Sequence, residues 1–124
     1  MYSKLRYNPR IKRSRSKYGN KKTTIHGITF DSKWESERYL YLKSLEKAGR
    51  IKDLELQPRY NILVNDQKIC AYVADFKYNK ENADGVWEHI VEDAKGVETP
   101  EFKLKKKLMK AVFDIEIYLS KKNS

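Results

Sequence analysis

Cysteine is nearly absent from this 124-residue chain; Cys70 is the one example. No disulfide can form within the chain, and a cysteine-built zinc site lacks its ligands. The expected setting is a reducing cytoplasm. Long apolar runs are missing too. None approaches the roughly 20 residues of a membrane span, and the N-terminus has no signal-peptide core, so no membrane partner is expected. Histidine is scarce, and His26 and His89 share no metal-ligand spacing. His89 lies four residues from Asp93, about 13 Å along a strand, and reads as a packed or surface residue. No Gly-x-Ser-x-Gly, Walker or nucleotide-binding fingerprint occurs.

Acids are missing from the first 22 residues. That stretch holds nine basic residues (among them Arg10, Lys12, Arg13 and Arg15), which is nine of the chain's ten net positive charges. Tyrosines, Pro9 and Gly19 are interleaved, and the segment cannot bury enough apolar surface to fold alone. Residues 1–23 therefore read as a basic, flexible arm preceding one domain over residues 24–124. Such an arm suits a phosphate backbone, whose condensed counterions it would release; the plainer reading is a solubilising tail.

The remaining residues have the hydrophobic content of a single modest core. Residues 24–30 are β-prone and broken by Gly27. The pattern predicts a helix over about 32–48, capped by Asp31 or Ser32 and ended by Gly49, with Trp34, Tyr41, Leu45 and Ala48 as its apolar stripe and Leu42 at one edge. Residues 51–64 are extended, and Pro58 implies an edge strand, a bulge or two short strands. Asn65-Asp66 marks a turn. Residues 69–78 and 86–95 read as strands joined by a polar hairpin loop ending in Asp84-Gly85. Thr99-Pro100-Glu101 opens a second helix to about residue 113, and residues 115–119 form a last strand. Helix, three strands, helix, strand is a mixed α/β pattern: one small mixed sheet flanked by two helices.

Alternation on the strands supplies the chemistry. Over 69–78 one face carries Ala71, Val73, Asp75 and Lys77, and the other carries Tyr72, Ala74, Phe76 and Tyr78. Over 86–95 one face carries Trp87, His89, Val91, Asp93 and Lys95. A short hairpin would set Asp75 beside Asp93 with Lys95 next to them. Paired carboxylates need compensation, and a hard divalent cation such as Mg²⁺, with Mn²⁺ as substitute, provides it; charged residues at strand ends are also common on plain surfaces. Glu35 borders the buried helix face and is the natural third acid, although Ser32-Lys33-Trp34-Glu35 is equally a capping box. Glu37 borders the stripe from the other side. On the second helix Lys103, Lys106, Lys107 and Lys110 make one cationic ridge, suited to phosphates or merely to water. Leu104, Leu108, Ala111 and Val112 form its expected core face. Lys105 has apolar neighbours, so its head must snorkel out or meet an anion.

Taken in order, Phe30-Asp31-Ser32-Lys33-Trp34-Glu35-Ser36-Glu37-Arg38-Tyr39, Leu54-Glu55-Leu56-Gln57-Pro58, Tyr72-Val73-Ala74-Asp75-Phe76, Val91-Glu92-Asp93-Ala94-Lys95-Gly96 and residues 99–108 resemble the PD-(D/E)XK nuclease superfamily. Within it the chain is similar to small phage-encoded nucleases related to Holliday junction resolvases. The resemblance covers about residues 24–118. It implies a restriction-endonuclease-like αβββαβ core and a Mg²⁺-dependent DNA endonuclease. Asp75, Asp93 and Glu35 would be metal ligands, Lys95 the catalytic lysine, and the arm, Lys105 and the lysine ridge would hold DNA. A branched or recombination-intermediate substrate, a homodimer and a bacterial host cytoplasm follow from the same resemblance. Two positions depart from the pattern: Ala74 replaces proline, and Asp93 replaces the commoner glutamate. Glu92, beside Asp93, should face away unless a bulge swaps it in. The alternatives are a non-catalytic nucleic-acid-binding accessory protein, whose warrant is the arm, and a repair or transposition endonuclease cutting duplex ends with partners.

Overall fold

A computed structural model of the chain describes residues 22–95 and 97–121. Nearly all of the expected arm, including Arg10, Lys12, Arg13 and Arg15, lies outside the described residues. The chain divides into two compact units, Met1–Ser36 and Glu37–Ser124. In the first, β1 (Thr23–Ile25) and β2 (Ile28–Phe30) form an antiparallel hairpin. Its two-residue turn, His26-Gly27, has both residues at positive φ, the backbone that tight hairpins favour. Helix α1 (Lys33–Lys47) begins in this unit and continues into the second.

The second unit contains a four-stranded mixed sheet. In spatial order it runs β3 (Ile51–Leu56), β6 (Phe76–Glu81), β7 (Trp87–Asp93) and β8 (Ile117–Leu119). The first three strands pair antiparallel, and β7 pairs parallel with β8. The parallel pair needs a crossover, which α2 (Pro100–Phe113) supplies. With the two hairpins set aside, the chain order is helix, three strands, helix, strand, so the expected α/β architecture is present. The extra element is a second hairpin, β4 (Arg59–Val64) with β5 (Gln67–Val73), turned at Asn65-Asp66. Pro58 thus separates two short strands.

Residues 69–78, expected as one strand, are two. Residues 67–73 belong to the hairpin and 76–81 to the mixed sheet. At the bend the backbone is fully used: Ala74 N–H donates to Pro58 C=O (3.1 Å), Asp75 N–H to Glu92 C=O (3.2 Å), and Asp75 C=O accepts from Gln57 N–H (2.9 Å). The core of this unit gathers Ile62, Tyr72, Ala74, Val91, Phe102, Met109 and Ile117 between α2, the hairpin and one sheet face. Cys70, half-buried, packs against it.

Both helices are turned from their expected faces. On α1 the buried residues are Glu35, Ser36, Tyr39 and Leu42, whereas Tyr41 and Ala48 are exposed. The buried face is turned by roughly 140° at 100° per residue. A charged contact accompanies it. Arg38 lies along the inward side and grips Glu92 with two hydrogen bonds, Nε to Oε2 at 2.6 Å and Nη2 to Oε1 at 2.9 Å. Tyr78 donates a third to Glu92 Oε1 (2.7 Å). A wheel that weighs apolar residues alone misses such a face. On α2, Phe102 and Met109 are buried, while Leu104, Ala111 and Val112 of the expected core face are exposed. Lys105 sits half-buried because Glu101, one turn earlier, takes its ammonium at 3.0 Å. Thr99 caps this helix through its hydroxyl, which accepts Phe102 N–H (3.1 Å).

Glu92 is fully buried, so the pair it forms with Arg38 cannot be broken cheaply. Arg38→Ala is expected to lower unfolding stability by about 3–5 kcal/mol, the usual cost of orphaning a buried charge. The double variant Arg38→Met/Glu92→Met should recover most of that loss, because no charge is stranded. Urea denaturation of the two variants beside the parent checks both.

Candidate active site

Strands β6 and β7 pair with Phe76 opposite Glu92, Tyr78 opposite Ile90 and Lys77 opposite Val91. The paired ladder ends there; Asp75, the next residue, donates its N–H to Glu92 C=O (3.2 Å), and its carboxylate reaches Ala94 N–H, next to Asp93. Carboxylates this close to one another need partners. Each carboxylate has them. Asp93 is buried at 2% exposure; its Oδ2 accepts a short hydrogen bond from the Tyr72 hydroxyl, and its Oδ1 faces the Lys95 ammonium at 3.8 Å. Asp75, half-buried, accepts Ala94 N–H on Oδ2 (2.8 Å). Lys95 is steadied from the α2 side, its ammonium 4.9 Å from the centre of the Phe102 ring. Phe102 in turn stacks at a tilt on Tyr72 (6.3 Å between centroids).

Three of the expected residues are thus close neighbours: Lys95 faces Asp93, and Asp75 holds the backbone of Ala94 between them. Glu92 does not join them. Its carboxylate belongs to Arg38 and Tyr78. Glu35 is buried in the first turn of α1, where its backbone N–H donates to Ser32 Oγ (3.1 Å), so the capping half of its reading is present. Glu37 is half-buried on the same helix. Among the described residues, no three of His, Cys, Asp and Glu gather as a metal-holding group. Two carboxylates nevertheless fit Mg²⁺, which is typically held by one or two carboxylates and keeps several waters.

Tyr72 was not foreseen. Strict alternation over 69–78 puts it opposite Asp75. The bend at Ala74–Asp75 changes the parity, so Tyr72 from the hairpin and Asp75 from the sheet both act on the same side of β7. The available signal was the break between two β-rich stretches around Ala74, and no turn residue marks it.

The lysine ridge is present as expected. Lys103, Lys106, Lys107 and Lys110 line a surface groove of about 390 Å³ together with Glu98, Glu116 and Ile117. Lys110 also pairs with Asp114 (2.9 Å). Glu98 is held below the usual carboxylate range by its hydrogen bond from Lys121 and by the charges of Lys106 and Lys103. His89 is exposed beside Asn79 (3.3 Å), in keeping with a surface residue.

Burial, and then the neighbouring carboxylates, push the phenols of Tyr72 and Tyr78 well above their ordinary value of 10. A phenol that resists ionisation in the fold but not in the unfolded chain contributes stability below pH 10 and loses it as pH rises further. Stability should thus decline above pH 10. In a 295 nm titration the Tyr72 and Tyr78 amplitudes should appear only on unfolding, and each should vanish from that step in its Tyr→Phe variant.

No curated protein and no solved structure matches the chain. A family described as "Protein of unknown function (DUF1064)" matches residues 15–122, which spans both units. The chain is a member of that family.

Proposed function

We propose that this protein is a Mg²⁺-dependent endodeoxyribonuclease of the PD-(D/E)XK type, acting on branched or recombination-intermediate DNA. The observation that carries the reading is the grouping at the end of β7, where Lys95 faces Asp93 and Asp75 accepts Ala94 N–H between them, within an element order of helix, three strands, helix, strand. Asp75 and Asp93 would hold the ion, with Mn²⁺ as a substitute; Glu35 joins them on its sequence match alone. When bound, the ion supplies positive charge that polarises a phosphodiester and makes water easier to deprotonate. Lys95, propped on Phe102, is placed to orient the attacking water and to stabilise charge growing on the phosphoryl oxygens. The lysine groove on α2 and the basic arm would hold the DNA backbone, and a homodimer would allow two symmetric cuts.

The test is a cleavage panel of junction, flap, duplex and single-stranded DNA, with Mg²⁺, with Mn²⁺ and with chelator. Cleavage should require the ion and should be lost in Asp75→Asn and Asp93→Asn while DNA binding persists. Lys95→Ala should slow the cut by about 10²–10³-fold, as for loss of one transition-state donor. A wild-type protein that binds DNA and cuts none of these substrates overturns the reading. A second reading, a non-catalytic DNA-binding accessory protein, is favoured by the lysine groove and by the absence, among the described residues, of three metal-holding side chains in one group. Both readings require that groove. Replacing Lys103 and Lys107 by alanine should lower the slope of log affinity against log salt by about 2, at roughly 0.9 per phosphate contact.

A further inference from the structure

Tyr72 closes one side of the candidate ion site. Its ring lies in the core, at 3% exposure, among Ile62, Ala74, Val91 and Met109 and against Phe102. The hydroxyl therefore has no room to swing away from Asp93 Oδ2, to which it donates. Among the described residues, the other oxygen, Oδ1, meets the Lys95 ammonium at 3.8 Å, beyond hydrogen-bond reach. Asp93 thus presents its two oxygens unequally. One is taken by a fixed donor, and the other faces a charge that can yield to a cation.

The number of oxygens that a carboxylate can offer separates hard cations. Ca²⁺ takes six to eight oxygens, often with a carboxylate bound through both, whereas Mg²⁺ keeps a strict octahedron and is content with single oxygens and water. We infer that Tyr72 is a specificity-determining residue of this site: by holding Asp93 Oδ2 it makes Asp93 a one-oxygen ligand and so favours Mg²⁺ and Mn²⁺ over Ca²⁺. Asp75, whose Oδ2 accepts Ala94 N–H, is restrained in the same sense by backbone. The Tyr72 contact is a side chain and can be removed without touching the chain path. The inference rests on the proposed metal site and adds to it the choice of ion.

The experiment is calorimetric titration of the full chain with Mg²⁺, Mn²⁺ and Ca²⁺, using wild type, Tyr72→Phe and Asp93→Asn. In Tyr72→Phe the affinity for Ca²⁺ relative to Mg²⁺ should rise by about tenfold, the lower end of what a ligand's outer partner controls. An unchanged ratio overturns the role of Tyr72 and leaves the metal site standing. Absence of ion binding by wild type, or binding that survives Asp93→Asn, overturns the metal site and the inference together. The wild-type protein gives a readout independent of the variant's folding. Anomalous diffraction from Mn²⁺-soaked crystals should show the ion on one oxygen of Asp93, with Tyr72 still on the other; an ion held by both oxygens overturns the inference.

Discussion

Two consecutive buried carboxylates leave β7 on opposite faces, and most of this unit is arranged to tolerate them. Neither Glu92 nor Asp93 can be dehydrated alone, since an isolated buried carboxylate costs several kcal/mol. Glu92 is answered on the α1 side by Arg38 and Tyr78. Asp93 is answered on the α2 side by Tyr72 and Lys95. The strand is thereby fixed in register and in facing. A slip of one residue would set each acid before the other's partners.

The two answers differ in kind. Around Glu92 the compensation is complete: a forked guanidinium and a phenol on two oxygens, with no exposure. That is a structural ion pair. Around Asp93, among the described residues, the close donor is the neutral Tyr72 hydroxyl and the Lys95 cation stands back at 3.8 Å, with Asp75 nearby. The contrast explains why the chemistry is assigned to one face of β7 and the mechanical fastening to the other, although the residues are adjacent in sequence.

Much of this was legible before any coordinates. Asp84-Gly85 and the alternation of residues 86–95 point to a hairpin of β6 and β7, and the antiparallel pairing of those strands bears that out. Thr99 with Pro100, and Asn65 with Asp66, mark their cap and turn by local chemistry alone. The face of the first helix was not legible, because Arg38 meets a partner, Glu92, that only tertiary structure supplies. Nor was Tyr72, since period-two reasoning fails wherever a strand passes from one sheet to another.

The Arg38–Glu92 bridge spans 54 residues of sequence. The β6–β7 hairpin, by contrast, closes over a short loop and can form early. Glu92 can therefore give up its water only once that long closure brings in the guanidinium, which sits in the first half of the polypeptide's first helix.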